Sequence, residues 1–135
     1  MRTVDGDTLV VDAGGVEERV RLIGIDTPES VDESRPVMCF GKEASAELER
    51  MVPDGTAVRL VRDVEPRDRY GRLLAYVYRA ADGTFVNLSL VQRGFADAFP
   101  YPPNEQHSRE LRRAAAAARD AGAGAWGACA NPFEE

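Results

Sequence analysis

The chain has 135 residues, 44 % of them hydrophobic and 30 % charged, which is typical of one globular domain with its own core. Its formal net charge of −6 excludes general electrostatic attraction to nucleic acid or to an anionic membrane, so a polyanion would have to bind locally. An apolar run of about eighteen residues, as a membrane helix needs, is absent, and we expect no membrane span. We therefore predict a single domain over residues 1–135.

The N-terminal part of the chain predicts a β-hairpin followed by a helix. Strand patterns cover residues 8–12 and 19–25, separated by an Ala-Gly-Gly turn. Met1 leads directly into residues that read as the second half of a strand, so we expect a truncated N-terminal strand and no signal segment in this chain. Residues 41–52 carry apolar side chains at helical spacing.

The second half alternates strands and turns before it becomes helical. Strand patterns cover 56–64 and 72–80, and 85–96 reads as a short strand leading into a short helix that Gly94 ends. We predict a helix in the Ala- and Arg-rich segment that begins at Asn104 or Ser108 and ends at Asp120, followed by a tail over 121–135 that Trp126 anchors. About five short strands with helices predict an α+β fold, a closed five-stranded β-barrel of the OB-fold type with about three α-helices.

Carboxylates gather where the first two strand patterns begin and end. Asp7 precedes the first, and Asp26 and Glu29 follow the second in the stretch Asp-Thr-Pro-Glu. Pro28 stiffens that turn and leaves the carbonyl of Thr27 free to face an ion. Clustered carboxylates repel one another unless a cation neutralises them, and an all-oxygen set suits Ca²⁺. Taken singly, each aspartate is better explained as a turn residue and Glu29 as a solvated surface acid.

Two arginines are candidates for binding a phosphate beside these acids. Arg21 lies inside an apolar strand, where a cation needs an anionic partner or an opening onto a cleft. Arg72 begins a strand after the turn "DRYG". One guanidinium group can donate two parallel hydrogen bonds to two oxygens of a phosphate. Arg21 and Arg72 could therefore bind a phosphodiester beside a cation. The alternatives are a salt bridge from Arg21 to one of the same acids and an edge-strand charge at Arg72.

Several motifs together resemble the staphylococcal nuclease (thermonuclease) family. The resemblance runs from about Val4 to Trp126, in the family's order and at about its spacing. The motifs are "VDGDTL", "RLIGIDTPE", "GKEAS", "DRYGRLLAYVY" and "VNLSLVQRG".

The resemblance implies an OB-fold nuclease that uses Ca²⁺ to cleave DNA and RNA and leaves 3′-phosphate ends. It implies that Asp7, Asp26 and the carbonyl of Thr27 are the metal ligands. It further implies that Glu29 orients or deprotonates the attacking water and that Arg21 and Arg72 clamp the phosphate.

The resemblance also implies a substrate-binding set. Tyr70 is similar to a residue that hydrogen-bonds a terminal phosphate, Arg69 replaces a lysine next to it, and Tyr101 is similar to a tyrosine that packs on the nucleotide. Tyr101 is equally well explained as a tyrosine packed on the barrel. Single-stranded nucleic acid is the expected partner, with the protein a monomer.

Besides Arg69, two departures from the family pattern concern binding. The loop after Glu29 carries Asp32 and Glu33 where the best-known member is basic, and Phe99 replaces the first of two paired tyrosines. With the net charge of −6, these changes predict weaker and more salt-sensitive binding of long nucleic acid.

The two cysteines, Cys39 and Cys129, belong to no CxxC pair, which argues against zinc and leaves open a disulfide or two unrelated thiols. Related bacterial sequences carry cysteines before the helix that begins "GKEAS" and after the tryptophan. That resemblance implies a Cys39–Cys129 disulfide and an extracytoplasmic or secreted protein.

Two rival functions remain open at this point. A binding module of the same fold would hold nucleic acid or protein without cutting it, although such modules have lost the acids that are intact here. An acidic OB-type domain with a protein partner would show no metal-dependent stability.

Overall fold

The structure is a computed structural model that describes residues 2–28 and 37–133. Within these residues lie β1 Arg2–Asp5, β2 Thr8–Ala13, β3 Val16–Leu22, β4 Ile25–Asp26, α1 Gly41–Met51, β5 Val58–Val61, β6 Leu73–Arg79, α2 Val86–Gln92, β7 Asp97–Ala98, α3 Ser108–Ala121 and α4 Ala125–Ala128.

One five-stranded sheet organises the fold, with strand order β1-β2-β3-β6-β5. β2 and β3 form the predicted hairpin, whose turn uses positive φ at Gly14 and Gly15 (64° and 90°), a conformation that glycine adopts without strain. β3 and β6 pair in parallel, whereas the other neighbours are antiparallel. β4 and β7 form a separate two-stranded ribbon.

The main core lies between this sheet and the helices. Apolar residues of β2, β3 and β6 pack against α1, α2 and α3, as the period-two and helical patterns predict. The fully buried members include Leu9, Val20, Leu22, Leu48, Val77, Leu90 and Val91.

The sheet is not closed into a barrel, so this part of the sequence prediction was wrong. β1 and β5 are the outer strands of the five-stranded sheet in the described part of the chain. Each has four residues, β1 has a register irregularity between Thr3 and Asp5, and α1 packs beside β1. Short, irregular edge strands offer too few backbone groups to pair across the gap.

Two predicted strands have different bounds in the structure. The pattern over 19–25 is divided after Leu22 by a turn at Ile23 and Gly24, where φ of Gly24 is 82°. This φ favours glycine, and a Cβ atom at Gly24 would also lie 2.6 Å from Cδ1 of Leu111, whose side chain would have to shift. The strand expected before α2 is a single bridge between Tyr78 and Phe85.

The C-terminal tail is tied to the rest of the chain. Cys39 and Cys129, the pair that the resemblance implies, form a disulfide with Cα atoms 6.0 Å apart. Trp126 packs against Phe133, with ring centroids 4.8 Å apart, and lies beside the guanidinium of Arg119. None of the helices in residues 2–28 and 37–133 has the length and apolar character needed to cross a membrane.

Candidate active site

Asp7 and Arg21 meet because of the hairpin register. Thr8 lies opposite Arg21, and the amide of Leu22 donates to the carbonyl of Asp7 at 2.9 Å. Nη2 of Arg21 lies 3.4 Å from Oδ2 of Asp7, and each residue is only 8 % exposed. The ion pair offered as the alternative explanation of Arg21 is therefore present, and it lies among the candidate site residues.

The guanidinium of Arg21 is oriented by backbone carbonyls. Nη1 donates to the carbonyl of Leu22 at 2.5 Å and Nη2 to that of Ile25 at 2.8 Å. These carbonyls flank the turn at Gly24, so the turn that ends β3 also fixes the arginine. Because the guanidinium is planar and two carbonyls hold it, the direction of its other N–H groups is fixed.

Thr27 joins the same group from the end of β4. Its amide donates to Oδ2 of Asp7 at 3.3 Å, while the hydroxyl of Thr8 donates to Oδ1 at 3.1 Å. Thr27 is buried, and its own hydroxyl has no hydrogen-bond partner among the described residues. Asp26 precedes it directly in β4. We call Asp7, Arg21, Asp26 and Thr27 the strand cluster.

The strand cluster is chemically suited to a hard cation, and its donors are few. Among residues 2–28 and 37–133 there is no group of three or more His, Cys, Asp or Glu side chains that could hold a metal. Asp7 and Asp26 supply two carboxylates, and Thr27 supplies a carbonyl and a buried hydroxyl without a partner. Oxygen donors of this kind fit Ca²⁺ or Mg²⁺, whose coordination shells are usually completed by water.

The partner of Asp26 across the small ribbon is a second aspartate that sequence reasoning missed. Asp97 in β7 lies opposite Asp26, and its carboxylate accepts the amide of Ala98 at 2.8 Å. Burial raises the pKa of Asp97, although that hydrogen bond and the charge of Arg119 oppose the shift.

Arg72 is held by a tight turn of its own. Its Nε donates to Oδ2 of Asp68 at 2.7 Å, and its amide donates to Oδ1 at 2.9 Å. Burial alone would raise the pKa of Asp68, but these hydrogen bonds and the charge of Arg72 outweigh it and lower that pKa. Arg72 immediately precedes β6, whose Leu73 pairs with Val20 of β3, so the turn lies beside the strand that carries Arg21.

Tyr70 projects from this turn between two arginines. Its side chain is among the most exposed aromatic groups, at 68 %, and its hydroxyl accepts a hydrogen bond from Arg69 at 2.7 Å. The guanidinium carbons of Arg69 and Arg72 lie 4.9 and 5.6 Å from the ring centroid. We call Asp68, Arg69, Tyr70 and Arg72 the turn cluster.

Tyr101 links the strand cluster to the outer face of the sheet. The guanidinium carbon of Arg21 lies 5.9 Å from its ring centroid, and the half-exposed ring of Phe99 lies 6.5 Å away. The tyrosine is also packed against the small core of Ile23 and Tyr76. The ring of Tyr101 therefore packs on this small core and also lies beside the guanidinium of Arg21.

The predicted site residues thus fall into two groups and one exception. Hydrogen bonds, an ion pair and a ring contact join Asp7, Arg21, Thr27 and Tyr101, and Asp26 directly precedes Thr27 in β4. Arg69, Tyr70 and Arg72 associate around Asp68. Glu29, predicted as the residue that acts on water, lies outside the described residues. Asp68, the first residue of the turn "DRYG", was not predicted as a partner of Arg72, because aspartate in a turn is explained by its bonds to the local backbone alone.

A family model described as staphylococcal nuclease homologue matches residues 19–128, which is more than half of the chain. The chain belongs to the staphylococcal nuclease family. The match includes the hairpin strand with Arg21, the Asp26–Thr27 turn and the turn cluster.

Curated relatives agree with this assignment. Thermonuclease of Staphylococcus intermedius is 47 % identical over 106 residues, covering 78 % of this chain and 61 % of that protein. Thermonuclease of Staphylococcus hyicus is 40 % identical over 114 residues, covering 84 % and 66 %. Endonuclease YncB of Bacillus subtilis is 37 % identical over 112 residues, covering 82 % and 52 %. The chain therefore spans between half and two thirds of the length of these staphylococcal-nuclease-family relatives.

Proposed function

We propose that this chain is a Ca²⁺-dependent nuclease that hydrolyses phosphodiester bonds in DNA and RNA, within and at the ends of strands, and leaves 3′-phosphates. The observation that carries the proposal is the convergence of Asp7, Arg21 and Thr27 through contacts at 3.3 and 3.4 Å. Relatives named thermonuclease and endonuclease support the same class of reaction.

The strand cluster would hold the metal. Asp7 and Asp26 would bind Ca²⁺ through carboxylate oxygens and Thr27 through its backbone carbonyl. The bound ion would supply positive charge to the phosphoryl oxygens and to an attacking water. The residues are well suited to this because Asp7 is buried and already turned toward the backbone of Thr27.

The arginines would neutralise the remaining charge on the phosphate. Arg21 is fixed by two backbone carbonyls, so its free N–H groups would meet a phosphate without reorganising. Arg72 would approach from the turn cluster, where its Nε already bonds the carboxylate of Asp68. Its terminal nitrogens would then bind the phosphate. Glu29 would orient or deprotonate the attacking water.

Single-stranded nucleic acid is the substrate class we propose. Tyr101 would pack on a nucleotide beside Arg21, and Tyr70 with Arg69 would contact a neighbouring phosphate. The overall charge of −6 supports local rather than long-range binding, so the KM for long substrates would rise steeply with salt.

The disulfide supports an oxidising location. A Cys39–Cys129 bond would persist outside the cytoplasm and would be reduced inside most bacterial cells. We therefore propose that this domain acts outside the cytoplasm, as a monomer.

Cleavage of labelled single-stranded DNA and RNA at low salt tests the proposal. We expect cutting with Ca²⁺, none with EDTA, and products that accept a label at the 3′ end only after phosphatase treatment. Glu29→Gln should lower the rate at least about 100-fold while leaving the melting temperature unchanged. Binding of the oligonucleotide without cutting, by folded protein, would instead favour a binding module.

A further inference from the structure

Gly6 lies at a three-way contact beside the strand cluster. It precedes Asp7 in the connection between β1 and β2, and its amide donates to the carboxylate of Asp5 at 2.7 Å. A Cβ atom at this position would lie 2.8 Å from Oγ1 of Thr27, 2.9 Å from Cβ of Thr27 and 3.0 Å from Cβ of Ala44. Two other segments of the chain, at Thr27 and at Ala44, therefore approach Gly6 so closely that a Cβ atom there would force one of them to shift.

This requirement for glycine is steric and not conformational. Gly6 is absent from the glycines with positive φ, so an alanine could adopt its backbone angles. Added volume would have to be accommodated by moving Thr27 or α1, because two of the three neighbouring atoms belong to rigid Cβ positions. Ala44 is fully buried in α1, which leaves the helix little room to move.

We propose that Gly6 is a positioning residue that sets the separation between Asp7 and Thr27, and so the geometry of the cation site. The inference rests on the proposed metal-binding function. The amide of Thr27 already reaches the carboxylate of Asp7 only at 3.3 Å, so a further displacement would break this bond. The Thr27 carbonyl and the Asp26 carboxylate would then move away from Asp7 together, because they share one short segment.

The contact also gives α1 an influence on the site. α1 begins two residues after Cys39, whose disulfide connects it to the C-terminal tail, and Ala44 projects from its first turn toward Gly6. The helix thus supports the metal-binding backbone from behind without contributing a ligand. Loss of such outer support typically weakens metal affinity about 10- to 100-fold.

Calorimetric titration of the full chain with CaCl₂ tests the inference, alongside melting temperatures measured in EDTA. We expect Gly6→Ala to raise the Ca²⁺ dissociation constant at least about tenfold. The control is Gly127→Ala, whose Cβ would lie 2.3 Å from the carbonyl oxygen of Gly122 in the tail. The melting temperature of this variant should be lower than that of the wild type, while its Ca²⁺ dissociation constant should stay within about twofold of the wild-type value.

A second variant separates positioning from general stability. Gly6→Ala combined with Ala44→Gly removes one of the three clashing atoms and should recover part of the Ca²⁺ affinity. The melting temperature of this double variant should not rise above that of Gly6→Ala, because glycine is unfavourable inside a helix. If Gly6→Ala does not fold, Ala44→Val adds volume at the same contact from the helix side and should also weaken Ca²⁺ binding.

The outcomes distinguish the two proposals. A wild-type chain that binds no Ca²⁺ overturns the metal site and this inference together. Wild-type binding with an unchanged dissociation constant in folded Gly6→Ala overturns the inference alone. Equal weakening in Gly127→Ala overturns it too, because instability would then explain the effect.

Discussion

The strand cluster and the turn cluster supply the same kinds of side chain but are built in different ways. In the strand cluster, Asp7, Arg21 and Thr27 come from three segments, are buried, and are fixed by backbone groups of neighbouring strands. In the turn cluster, Arg72 is oriented by Asp68, four positions earlier, and Tyr70 is exposed.

Because of this difference, we expect the two clusters to contribute differently to stability and to catalysis. Buried charges that depend on one another must be satisfied for the domain to fold, so changes in the strand cluster should lower both stability and activity. The Arg72–Asp68 pair lies within one turn, and the Arg72 side chain is 28 % exposed although that of Asp68 is buried. Changes at the exposed side of this cluster, at Arg72 or Tyr70, should therefore lower activity with a smaller loss of stability. The predictions below test that separation.

The largest effect should follow Asp7→Asn. The cleavage rate should fall on the order of 10³-fold, because a metal ligand is lost together with the anion facing Arg21. Stability in EDTA should also fall by about 1–3 kcal/mol, since Arg21 loses a charged partner. Initial rates and urea unfolding measure both, with exposed Asp120→Asn as the control. A rate within tenfold of the wild type would contradict the role of Asp7.

Lysine substitutions at the two arginines compare the clusters directly. Arg21→Lys and Arg72→Lys should each lower kcat about 100-fold, because a lysine cannot form a bidentate contact with phosphate. Arg21→Lys should also destabilise by about 1–3 kcal/mol, since one of its two carbonyl contacts is lost. Arg72→Lys should change stability by less than about 1 kcal/mol. Equal destabilisation by the two would remove the distinction between the clusters.

Glu47 provides a measure of acid sensitivity that is independent of both clusters. Its carboxylate bridges α1 and α2 by pairing with Arg50 and Arg93, and the hydrogen bond from Arg50 is the main cause of its lowered pKa. A carboxyl group whose pKa is lowered by folding stabilises the folded state above its unfolded value of about 4.5, and this contribution is lost as the pH falls through the lowered folded value.

Glu47→Gln should therefore destabilise by about 1–3 kcal/mol at pH 7, and the difference from the wild type should disappear well below pH 4.5. Urea unfolding across this range measures it. Activity at pH 7 in folded protein should be unchanged. A stability difference that persists unchanged at the acid end would show that packing, and not charge, gives Glu47 its role.

The smallest effect should follow Tyr70→Phe. The exposed hydroxyl bonds only the neighbouring Arg69 among its described contacts, so its loss should raise KM about two- to tenfold. Melting temperature should not change. Steady-state kinetics on a short oligonucleotide measure this, and a large loss of kcat would place Tyr70 among the reacting groups.

Most of the strand cluster could be predicted from the sequence, because its residues lie at the ends of strands that local sequence patterns identify. Asp7 and Arg21 meet through a hairpin whose turn, Ala-Gly-Gly, is legible, and Asp26 and Thr27 directly follow an apolar strand pattern. α1 was predicted from its apolar spacing and α3 from its Ala- and Arg-rich composition, whereas the short α4 lies in the segment predicted as a tail. The Cys39–Cys129 pair came from resemblance, since spacing alone does not place two sulfurs together.

Contacts between residues far apart in the chain could not be predicted from the sequence. Nothing local indicates that Asp97 would lie opposite Asp26, or that the side chain of Asn87 would bond the carbonyl of Ile23 and so support the turn at Gly24. The open sheet was missed for the same reason. Alternation predicts strands, whereas closure depends on edge length and register, which tertiary contacts decide.

One measurement tests the central claim most directly: exposure of circular single-stranded DNA to the chain in Ca²⁺ and in EDTA, with folding verified by circular dichroism. Because a circle has no ends, only internal cleavage converts it to a linear strand. Our account predicts linear products in Ca²⁺ and intact circles in EDTA. Intact circles in Ca²⁺, or equal cutting in EDTA, would contradict the claim that the strand cluster is a Ca²⁺-dependent nuclease centre.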